Sequence, residues 1–417
     1  MIIQRERYLS ALINRMHNGL VKVVTGIRRS GKSFLIFKIF KQYLLDSGID
    51  DSHIITLALD DRRNKRYRNP DEILKYIDLL IADRKNYYIF LDEIQLLIDF
   101  EEVLNSLMHI PNADIYVTGS NSRFLSKDII TEFRGRGDEI HIFPLSFQEF
   151  MQNYKGDIYH GWTDYATYGG LPLVSTMKTE AQKMQYLTNL FAETYLKDII
   201  ERNRIEKTQE LDDLLNILAS AIGSYTNPAR IEATFKSVSH SSFSANTIRQ
   251  YIGYLEDAFI ISAAQRYNVK GRKYIGTPLK YYFEDVGLRN AKLGFRQVEE
   301  THLMENIIYN ELRSRGYSVD VGVVEQRRRT PSGKSERVSL EIDFVANLGS
   351  KRYYIQSALR LSNEAKKEQE QRSLLMVQDA FKKIIITKDA LAPLYNEEGV
   401  LVMSIFDFLL NEGSLEV

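Results

Sequence analysis

Apolar and polar positions over the first 150 residues alternate between two periodicities. Short runs rich in β-branched and aromatic residues predict strands at 20–25, 53–59, 87–91, 114–118 and 139–143. The segments between them carry apolar residues at helical spacing and predict helices at 33–45, 71–82, 100–109 and 122–130. Strands that alternate with helices are typical of a parallel sheet covered on both faces, so we expect an α/β fold here.

The pattern changes in the middle of the chain. Residues 151–200 are predicted to be mostly helical, with a Gly/Pro turn at 168–172. From about 207 to 270, three helical stretches precede a β-rich run, which is the order of elements in a winged helix. We therefore expect a helical and winged-helix region over residues 151–275.

Residues 276–417 return to a mixed pattern of strand, helix, three-stranded ribbon, charged helix and two further strands. Turns are predicted at 330–333 and 348–350, the charged helix at 363–383, and the last strands at 383–388 and 400–405. We interpret this segment as a third domain, also of the α/β class.

Composition and charge narrow the function classes. Lys plus Arg and Asp plus Glu number 55 each, and 44% hydrophobic residues are ordinary for a globular protein. The absence of cysteine excludes disulfides, thiolate zinc sites and a cysteine nucleophile. No uncharged apolar run approaches the ~20 residues of a membrane helix. Because the N-terminus also lacks a signal-peptide core, we expect a cytoplasmic protein with no membrane partner.

Residues 26–33, Gly-Ile-Arg-Arg-Ser-Gly-Lys-Ser, match the phosphate-binding pattern GxxxxGK[ST] at every specified position. Gly26 and Gly31 allow the backbone to turn its N–H groups towards an anion, and the following helix adds its N-terminal dipole. We expect Lys32 to reach the β- and γ-phosphates and the Ser33 hydroxyl to complete a Mg²⁺ shell. The predicted contacts to ATP and Mg²⁺ are Gly26, Arg28, Arg29, Ser30, Gly31, Lys32 and Ser33.

A second acidic element follows the apolar run 87–91. Asp92 and Glu93 stand at the carboxyl end of this predicted strand, the edge at which parallel sheets bind ligands. We expect Ser33 and Asp92 to hold the Mg²⁺ ion, Asp92 through a water ligand of the metal. We expect Glu93 to polarise the water that attacks the γ-phosphate. The adjacent pair of acids favours hydrolysis over binding alone.

Two later segments offer further catalytic side chains. After the next strand, Ser120 or Asn121 is placed to bridge the γ-phosphate and the attacking water, and the sequence does not choose between them. Arg134 and Arg136 precede the fifth strand, and we prefer Arg136 as the guanidinium directed at the γ-phosphate. Such an arginine acts either within its own chain or from a neighbouring subunit.

The chain resembles prokaryotic AAA+ ATPases with an uncharacterised C-terminal region, in the blocks GIRRSGKS, YIFLDEIQ, VTGSNS, GRGDEIHIFPLSFQEF and YGGLP. Later blocks such as TIRQYIGYLEDAFII, KYYFEDVGLRNA and ENIIYNELRSRGYSVDVG agree, so the resemblance covers nearly the whole chain. It implies ATP binding by an AAA+ core over 1–150. It also implies a winged-helix segment within 151–275 and a restriction-endonuclease-like domain over 276–417.

A restriction-endonuclease-like domain, as the resemblance implies, would carry its nuclease site within residues 276–417. Metal-dependent cleavage in that fold uses an Asp on one strand and a Glu-x-Lys on the next. Glu305 and Asp343 match two expected acids, whereas Gln356 and Ala358 stand where Glu and Lys belong. Gln is only a neutral ligand and Ala supplies no cation. We therefore expect a vestigial site at Glu305, Asp343 and Gln356, in a domain that serves binding or assembly.

Basic clusters make DNA a candidate partner. The clusters are Arg62–Arg68 and the run Arg327, Arg328 and Arg329, and clustered arginine suits contact with a phosphate backbone. The third helix of the winged-helix segment adds Asn246, Arg249 and Gln250. Solvated loops and a protein partner are the alternatives.

Together these features predict an ATPase that uses ATP and Mg²⁺ to drive or gate rearrangement of a DNA- or protein-bound assembly, including assembly with copies of itself. One alternative is a slow nucleotide-dependent switch or DNA-binding regulator with little turnover. Another is an ATP-dependent DNA nuclease, which needs the missing Glu and Lys to come from elsewhere in the protein.

Overall fold

The computed structural model describes residues 2–119, 135–239, 243–329 and 335–417. The chain divides into two compact units. Unit 1 contains Met1–Pro144 and Asp257–Phe259, and unit 2 contains Leu145–Glu256 and Ile260–Val417.

Unit 1 is built from alternating strands and helices. Its strands are β1 Val21–Thr25, β2 Ile54–Ala58, β3 Tyr87–Asp92, β4 Ala113–Thr118 and β5 Gly137–His141. Its helices are α1 Glu6–Ile13, α2 (Lys32–Phe34, a π-helical part Leu35–Phe40, and Lys41–Asp46), α3 Pro70–Leu80 and α4 Phe100–Leu107. Short 3₁₀ turns cover Asp51–His53, Arg62–Arg68 and Ile94–Leu96.

The five strands form one parallel sheet in the order β2-β3-β4-β1-β5. Side chains alternate across it, so that Ile89 and Leu91 of β3 pack in one hydrophobic core and Tyr88 and Phe90 in the other. Because all strands run the same way, their carboxyl ends meet at one edge of the sheet. The α/β class predicted for this region is confirmed.

One charged pair lies inside unit 1. Lys22 of β1 is fully buried and forms an ion pair with the buried Asp114 of β4. Asp114 also accepts a hydrogen bond of 2.8 Å from the Tyr116 hydroxyl, and the Lys22 ammonium donates one of 2.9 Å to the Leu20 carbonyl. These bonds satisfy the charges that burial would otherwise leave unpaired.

Unit 2 begins with helices and ends with a large sheet. Its helices are α5 Phe147–Met151, α6 Ile158–Tyr168, α7 (Glu180–Asn189, a π-helical part Leu190–Leu196, and Lys197–Asn203), α8 Thr208–Ser220, α9 (Pro228–Thr234 and a π-helical part Phe235–Ser239), α10 Ala245–Asp257, α11 Val286–Lys292, α12 Glu300–Ser314, α13 Glu364–Leu375 and α14 Ile405–Leu410. Its strands are β6 Tyr225–Thr226, β7 Ile261–Asn268, β8 Lys273–Phe283, β9 Ser318–Arg329, β10 Ser335–Leu348, β11 Lys351–Ala358, β12 Lys382–Thr387, β13 Leu394–Tyr395 and β14 Leu401–Ser404. The 3₁₀ turns are Val174–Thr176 and Ser414–Glu416.

The nine strands form a mixed sheet in the order β13-β14-β12-β11-β10-β9-β7-β8-β6. Strand β8 runs through the predicted boundary at 275/276, and β7 pairs with β9 beyond that boundary. Residues on both sides of 275/276 therefore share one sheet. The division into domains 1–150, 151–275 and 276–417 stays a prediction.

The charged helix is shorter than its sequence predicts. The pattern predicts a helix over 363–383, but α13 ends at Leu375. Beyond it, the Asp379 carboxylate accepts hydrogen bonds of 3.2 Å from the Phe381 N–H and 2.6 Å from the Tyr354 hydroxyl. These contacts hold a turn that leads into β12, because a side-chain acceptor competes with the helical backbone pattern.

The Gly/Pro turn at 168–172 packs against α11. Asp285 caps α11 through the Leu288 N–H at 3.0 Å and accepts a second hydrogen bond of 2.7 Å from the Gly170 N–H. A Cβ atom on Gly287 would lie 2.1 Å from the Tyr168 carbonyl oxygen. Only glycine at that position allows the two backbones to approach so closely.

Candidate nucleotide-binding site

The loop between β1 and α2 adopts a conformation that two glycines make possible. Gly26 has φ +135° and Gly31 has φ +98°, both in the region that favours glycine. A Cβ atom on Gly26 would lie 2.3 Å from the Ile142 carbonyl oxygen. The loop stands at the carboxyl end of β1 and leads directly into α2 at Lys32. This is the strand–loop–helix setting in which backbone N–H groups surround phosphate.

The Lys32 ammonium lies inside the loop. It donates hydrogen bonds of 2.8 Å to the Gly26 carbonyl and 2.9 Å to the Ile27 carbonyl. Burial lowers the pKa of Lys32 to about 8; Glu93 and Asp92 oppose this shift, and Arg28 adds to it. The cation is therefore held at the centre of the loop, where phosphate oxygens would replace its carbonyl partners.

Asp92 joins the loop to the next strands. It ends β3 in a buried position, and its Oδ1 atom accepts a hydrogen bond of 2.9 Å from the Ser33 hydroxyl. The Thr118 hydroxyl at the end of β4 donates to the same oxygen. Burial raises the pKa of Asp92; the bonds from Thr118 and Ser33 oppose this, whereas Glu93 and Asp60 add to it.

Glu93 has a strained backbone next to these groups. It adopts a left-handed conformation with φ +52°, and its N–H donates a hydrogen bond of 3.0 Å to the Thr118 hydroxyl. The Gln95 amide donates to its carboxylate. Backbone strain in a non-glycine residue is often found at functional sites. Glu93 directly follows Asp92 in sequence, so it lies at the same edge of the sheet as the Ser33–Asp92 pair.

Sequence reasoning missed three residues of this site. Thr118 is the last residue of β4 and Asp60 lies two residues after β2, and a polar residue at the carboxyl end of a buried strand was the available signal for both. The third, Arg5, is buried and donates hydrogen bonds of 3.0 Å to the Ser30 carbonyl and 2.7 Å to the Phe143 carbonyl. Because Arg5 and Ser30 are 25 residues apart in the chain, no local sequence pattern indicated this contact.

The remaining predicted site residues fall into two groups. Within the loop, Ser30 is buried, Arg28 is half-buried and Arg29 is exposed. Ser120, Asn121 and Arg134 lie outside the described residues.

Arg136 lies at the opposite edge of the sheet from the loop. Its carbonyl accepts a hydrogen bond of 2.9 Å from the Val21 N–H, at the amino end of β1. Its exposed guanidinium is 3.5 Å from the Asn105 side-chain oxygen. Since β1 has five residues, about 15 Å of strand separates Arg136 from the loop of the same chain. Of the two predicted arrangements, this geometry favours the one in which Arg136 reaches the γ-phosphate in a neighbouring subunit.

The residues present fit ATP and Mg²⁺. A hydroxyl and a carboxylate at 2.9 Å are hard oxygen donors of the kind that hold Mg²⁺ together with substrate phosphates. Lys32 and the loop N–H groups supply the positive field that phosphates need. Across the described ranges, no group of three or more His, Asp or Glu side chains is arranged to hold a metal ion by protein ligands alone.

Of the predicted vestigial nuclease residues, Glu305 pairs with a lysine from β8, and Asp343 and Gln356 have other partners. Lys280 of β8 is buried, and its ammonium is 2.9 Å from a Glu305 oxygen and 2.6 Å from a Glu341 oxygen. Asp343 accepts a hydrogen bond of 2.8 Å from the Ser357 N–H. Gln356 turns to Ser373, whose hydroxyl lies 3.4 Å from the amide oxygen.

The charges of these groups shift one another's pKa values. Burial and the neighbouring Glu305 raise the pKa of Asp343 well above its usual range, and Lys280 opposes the shift. Burial alone would lower the pKa of Lys280, but Glu305, Asp343 and Glu341 raise it above its ordinary value. The ammonium thus supplies the positive charge that a metal ion would bring to such carboxylates.

The structure describes the side chains of one basic cluster and only the backbone of the other. In Arg62–Arg68, Arg63 pairs with Asp61, and Arg68 donates a hydrogen bond of 2.8 Å to the Leu59 carbonyl. The backbones of Arg327, Arg328 and Arg329 end β9 and pair with residues 335–337, and their side chains lie outside the described part. On α10, Arg249 donates to Asn246 at 2.7 Å and Gln250 to Tyr254 at 2.5 Å.

Comparisons with known proteins identify a family and relatives to which this chain is similar. Residues 18–151 match the AAA domain family, and residues 159–299 match a domain of unknown function. An uncharacterised protein of Haemophilus influenzae is 32% identical over 98% of this chain and 99% of that protein. An uncharacterised protein of Methanocaldococcus jannaschii is 27% identical over 97% of this chain and 88% of that protein. A solved DNA polymerase III gamma subunit-related protein of Thermotoga maritima aligns at 12% identity and a TM-score of 0.28, covering 61% of this chain and 100% of that chain.

The five-stranded parallel sheet, its phosphate-binding loop and the AAA domain match define a nucleotide-binding AAA+ ATPase. More narrowly, the chain belongs to the family of AAA-domain proteins that includes its Haemophilus influenzae relative, which it matches over nearly the full length of both. Within the described ranges, no helix is both long and apolar enough to cross a membrane.

Proposed function

We propose that this protein hydrolyses ATP with Mg²⁺ to drive or gate the rearrangement of a DNA- or protein-bound assembly. The observation that carries the proposal is the pairing of the Ser33 hydroxyl with the Asp92 carboxylate at 2.9 Å, beside the buried Lys32 ammonium. Together they supply a metal site and a phosphate site at one edge of the sheet.

Each residue has a defined role in this proposal. Lys32 and the loop N–H groups bind the phosphates, Ser33 and Asp92 hold Mg²⁺, and Glu93 orients the attacking water. Thr118 fixes Asp92 and the Glu93 backbone through the hydrogen bonds of one hydroxyl group. When bound, the metal ion neutralises charge that develops on the phosphates.

The test is the steady-state ATP hydrolysis rate of the wild type, Glu93→Gln and the control Glu368→Gln, with and without duplex DNA. Glu368 is an exposed acid on α13, outside unit 1. We expect Glu93→Gln to lose turnover at least 100-fold while still binding ATP, and Glu368→Gln to match the wild type. Equal turnover in wild type and Glu93→Gln would contradict the hydrolytic role. Stimulation by DNA would identify nucleic acid as the partner.

A slow switch is the second candidate function, and one contact favours it. The Gln95 amide donates a hydrogen bond to one oxygen of the Glu93 carboxylate, and this bond makes the carboxylate a weaker base towards an attacking water. In that case we expect low basal turnover in wild type and several-fold faster turnover in Gln95→Ala. Slower turnover in Gln95→Ala would instead assign Gln95 to positioning Glu93 for catalysis.

Two features support DNA contact by unit 2. The order of α8, β6, α9, α10, β7 and β8, with β8 between β7 and β6 in the sheet, suits a winged helix with a β7–β8 wing. The end of the β9–β10 ribbon carries Arg327 to Arg329. Phosphate contact of this kind weakens steeply as salt rises. Affinity for duplex DNA that is absent or independent of salt would refute it.

The region 276–417 is proposed to serve binding or assembly and not cleavage. Glu341 and Lys280 come from elsewhere in the protein, as the nuclease alternative requires, but the Lys280 ammonium forms ion pairs with Glu305 and Glu341 and so competes with a metal ion for these carboxylates. We expect no Mg²⁺-dependent nicking of plasmid DNA. Nicking that Asp343→Ala abolishes would restore the nuclease alternative.

A further inference from the structure

A cleft in unit 2 lies between three segments of its sheet. Its walls come from the β7–β8 turn at 269–272, the β10–β11 turn at 349–350 and the segment 377–381 that precedes β12. Its volume is about 620 Å³. Sites for small ligands and single nucleotide units occupy about 300–1,000 Å³, so the cleft can hold one such unit.

Positive charge dominates the lining of this cleft. Four cationic side chains line it, and Asp379 is the one carboxylate among the lining residues: the cations are Lys270, Arg272, Lys351 and Arg352. Both Asp379 oxygens already accept hydrogen bonds, from Tyr354 and Phe381. The lining therefore attracts anions.

Two of the four cations lie on the wing. Within the part of the chain that the structure describes, Lys270 and Arg272 form no ion pair, and both are exposed. Their turn is held by a hydrogen bond of 2.7 Å from the Gly271 N–H to the Asn268 side chain. Lys351 pairs with Glu416, but both side chains are about half-exposed and such pairs are weak in water.

The other wall is aromatic. The Arg352 guanidinium lies over two rings, 5.5 Å from the centre of Tyr267 and 5.3 Å from the centre of Phe381. A hydrogen bond of 2.7 Å from its Nε atom to the Asn347 side chain fixes it there. Phe381 remains 39% exposed. An exposed ring beside phosphate-binding cations is the arrangement on which unpaired bases stack.

We infer that this cleft binds a single strand of nucleic acid. Lys270 and Arg272 contact its phosphates, and one base stacks on Phe381. A duplex keeps its bases stacked inside, so only an unpaired strand can use the ring and the cations together. The inference rests on the proposed function, because it identifies where the ATP-driven assembly would contact nucleic acid. Because strand binding is measured without ATP, failure of strand binding and failure of hydrolysis give separate results.

The experiment is fluorescence anisotropy with a labelled 20-nucleotide dT strand and the full chain, from 50 to 200 mM salt. The variants are Lys270→Ala with Arg272→Ala, Phe381→Ala, and a control that removes the same charge elsewhere in unit 2, Lys197→Ala with Lys367→Ala. Both control lysines are exposed and lie outside the cleft. Thermal melting of each variant confirms that it is folded.

We expect the wing double variant to bind the strand at least tenfold more weakly, with the log–log salt slope reduced by about 1.4 for two lost phosphate contacts. Phe381→Ala should weaken binding about 5- to 100-fold, because stacking on the ring is lost. The control double variant should bind like the wild type.

Three results would overturn the inference. One is equal weakening in the wing variant and the control, which would mean that net charge alone sets affinity. A second is tighter binding to a 20-base-pair duplex that the wing and Phe381 variants leave unchanged. The third is saturable binding of AMP that requires Lys270 and Arg272, with no strand binding, which would assign the cleft to a free nucleotide.

Discussion

Lys32 combines two demands that oppose each other. Its ammonium is buried inside the loop, where burial lowers its pKa to about 8, yet phosphate binding requires its positive charge. In the nucleotide-free chain, Lys32 is therefore about half deprotonated near pH 8. Bound phosphate favours the protonated form, so nucleotide binding above this pH must take up a proton.

This linkage predicts the pH dependence of ATP affinity. At pH 7 the Lys32 ammonium is mostly protonated, and at pH 9 only roughly a tenth of the free chain carries the charge. We expect the Kd of the wild type for a non-hydrolysable Mg-ATP analogue to be roughly tenfold higher at pH 9 than at pH 7. Calorimetry at pH 9 in buffers of different ionisation enthalpy should show uptake of about one proton. A Kd that does not change with pH would show that Lys32 keeps its ordinary pKa.

Lys280 shows how one buried cation can organise several acids. It is the shared partner of Glu305 on α12 and Glu341 on β10, and it lowers the cost of charge on Asp343. The Tyr282 hydroxyl adds a hydrogen bond of 2.7 Å to Glu305. Removal of the lysine alone would leave carboxylates buried without a counter-charge.

We therefore expect Lys280→Met to reduce the free energy of unfolding of the chain by about 3–5 kcal/mol at pH 7. The loss should be smaller at pH 5, because the unpaired acids then take up protons. Lys273→Met, at the exposed start of the same strand, is the matched control and should change stability by less than about 0.5 kcal/mol. Urea unfolding measures both variants. A Lys280→Met protein as stable as the control would exclude the neutralising role.

At the scale of elements, the joint between the 168–172 turn and α11 connects two segments of unit 2 that lie more than 100 residues apart in sequence. Asp285 is buried, and burial raises its pKa to about 6, while N–H groups of Gly170, Leu288 and Gly287 oppose the shift. The Asn290 amide donates hydrogen bonds of 2.9 Å to the Ala166 and Thr167 carbonyls. Close backbone contact makes this joint sensitive to any added atom.

Two glycine substitutions test this sensitivity in opposite directions. In Gly287→Ala the new methyl group would lie 2.1 Å from the Tyr168 oxygen, so we expect a loss of about 3 kcal/mol or more in the free energy of unfolding. In Gly253→Ala, within α10, no atom lies within 4 Å of the added group. There we expect a gain of about 0.5–1 kcal/mol from the better helix former. Thermal melting of the two variants should shift in opposite directions, and similar shifts would contradict the close approach.

At the scale of the whole molecule, the position of Arg136 predicts shared active sites. Arg136 lies at the amino edge of its own sheet, whereas the phosphate-binding loop lies at the carboxyl edge. An arginine that contacts the γ-phosphate from there must do so in a second copy of the chain. The homo-oligomer expected from the sequence would supply that copy.

Mixing two inactive variants tests this arrangement. Arg136→Ala should lower turnover about 10³-fold or more, and Glu93→Gln should also be inactive. In a mixture, an intact Arg136 from one chain meets an intact Glu93 from another, so we expect turnover well above that of either variant. Arg84→Ala, an exposed arginine before β3, should behave like the wild type. A mixture no more active than its components would exclude an arginine supplied in trans.

The sequence by itself determined the α/β class of unit 1 and the phosphate-binding loop. Both depend on local features, namely apolar strand runs, helical periodicity, and glycines within eight contiguous residues whose backbone conformations the pattern implies. Asp92 was predictable for the same reason, because a buried strand leads directly to it.

Only the tertiary structure decided which residues from different strands meet. The pairing of Lys280 with Glu305 and Glu341, the contact of Arg5 with Ser30, the sheet edge of Arg136 and the aromatic wall of the unit 2 cleft follow from strand order and side-chain packing. These contacts join residues far apart in the chain, and no periodicity within a single segment specifies them.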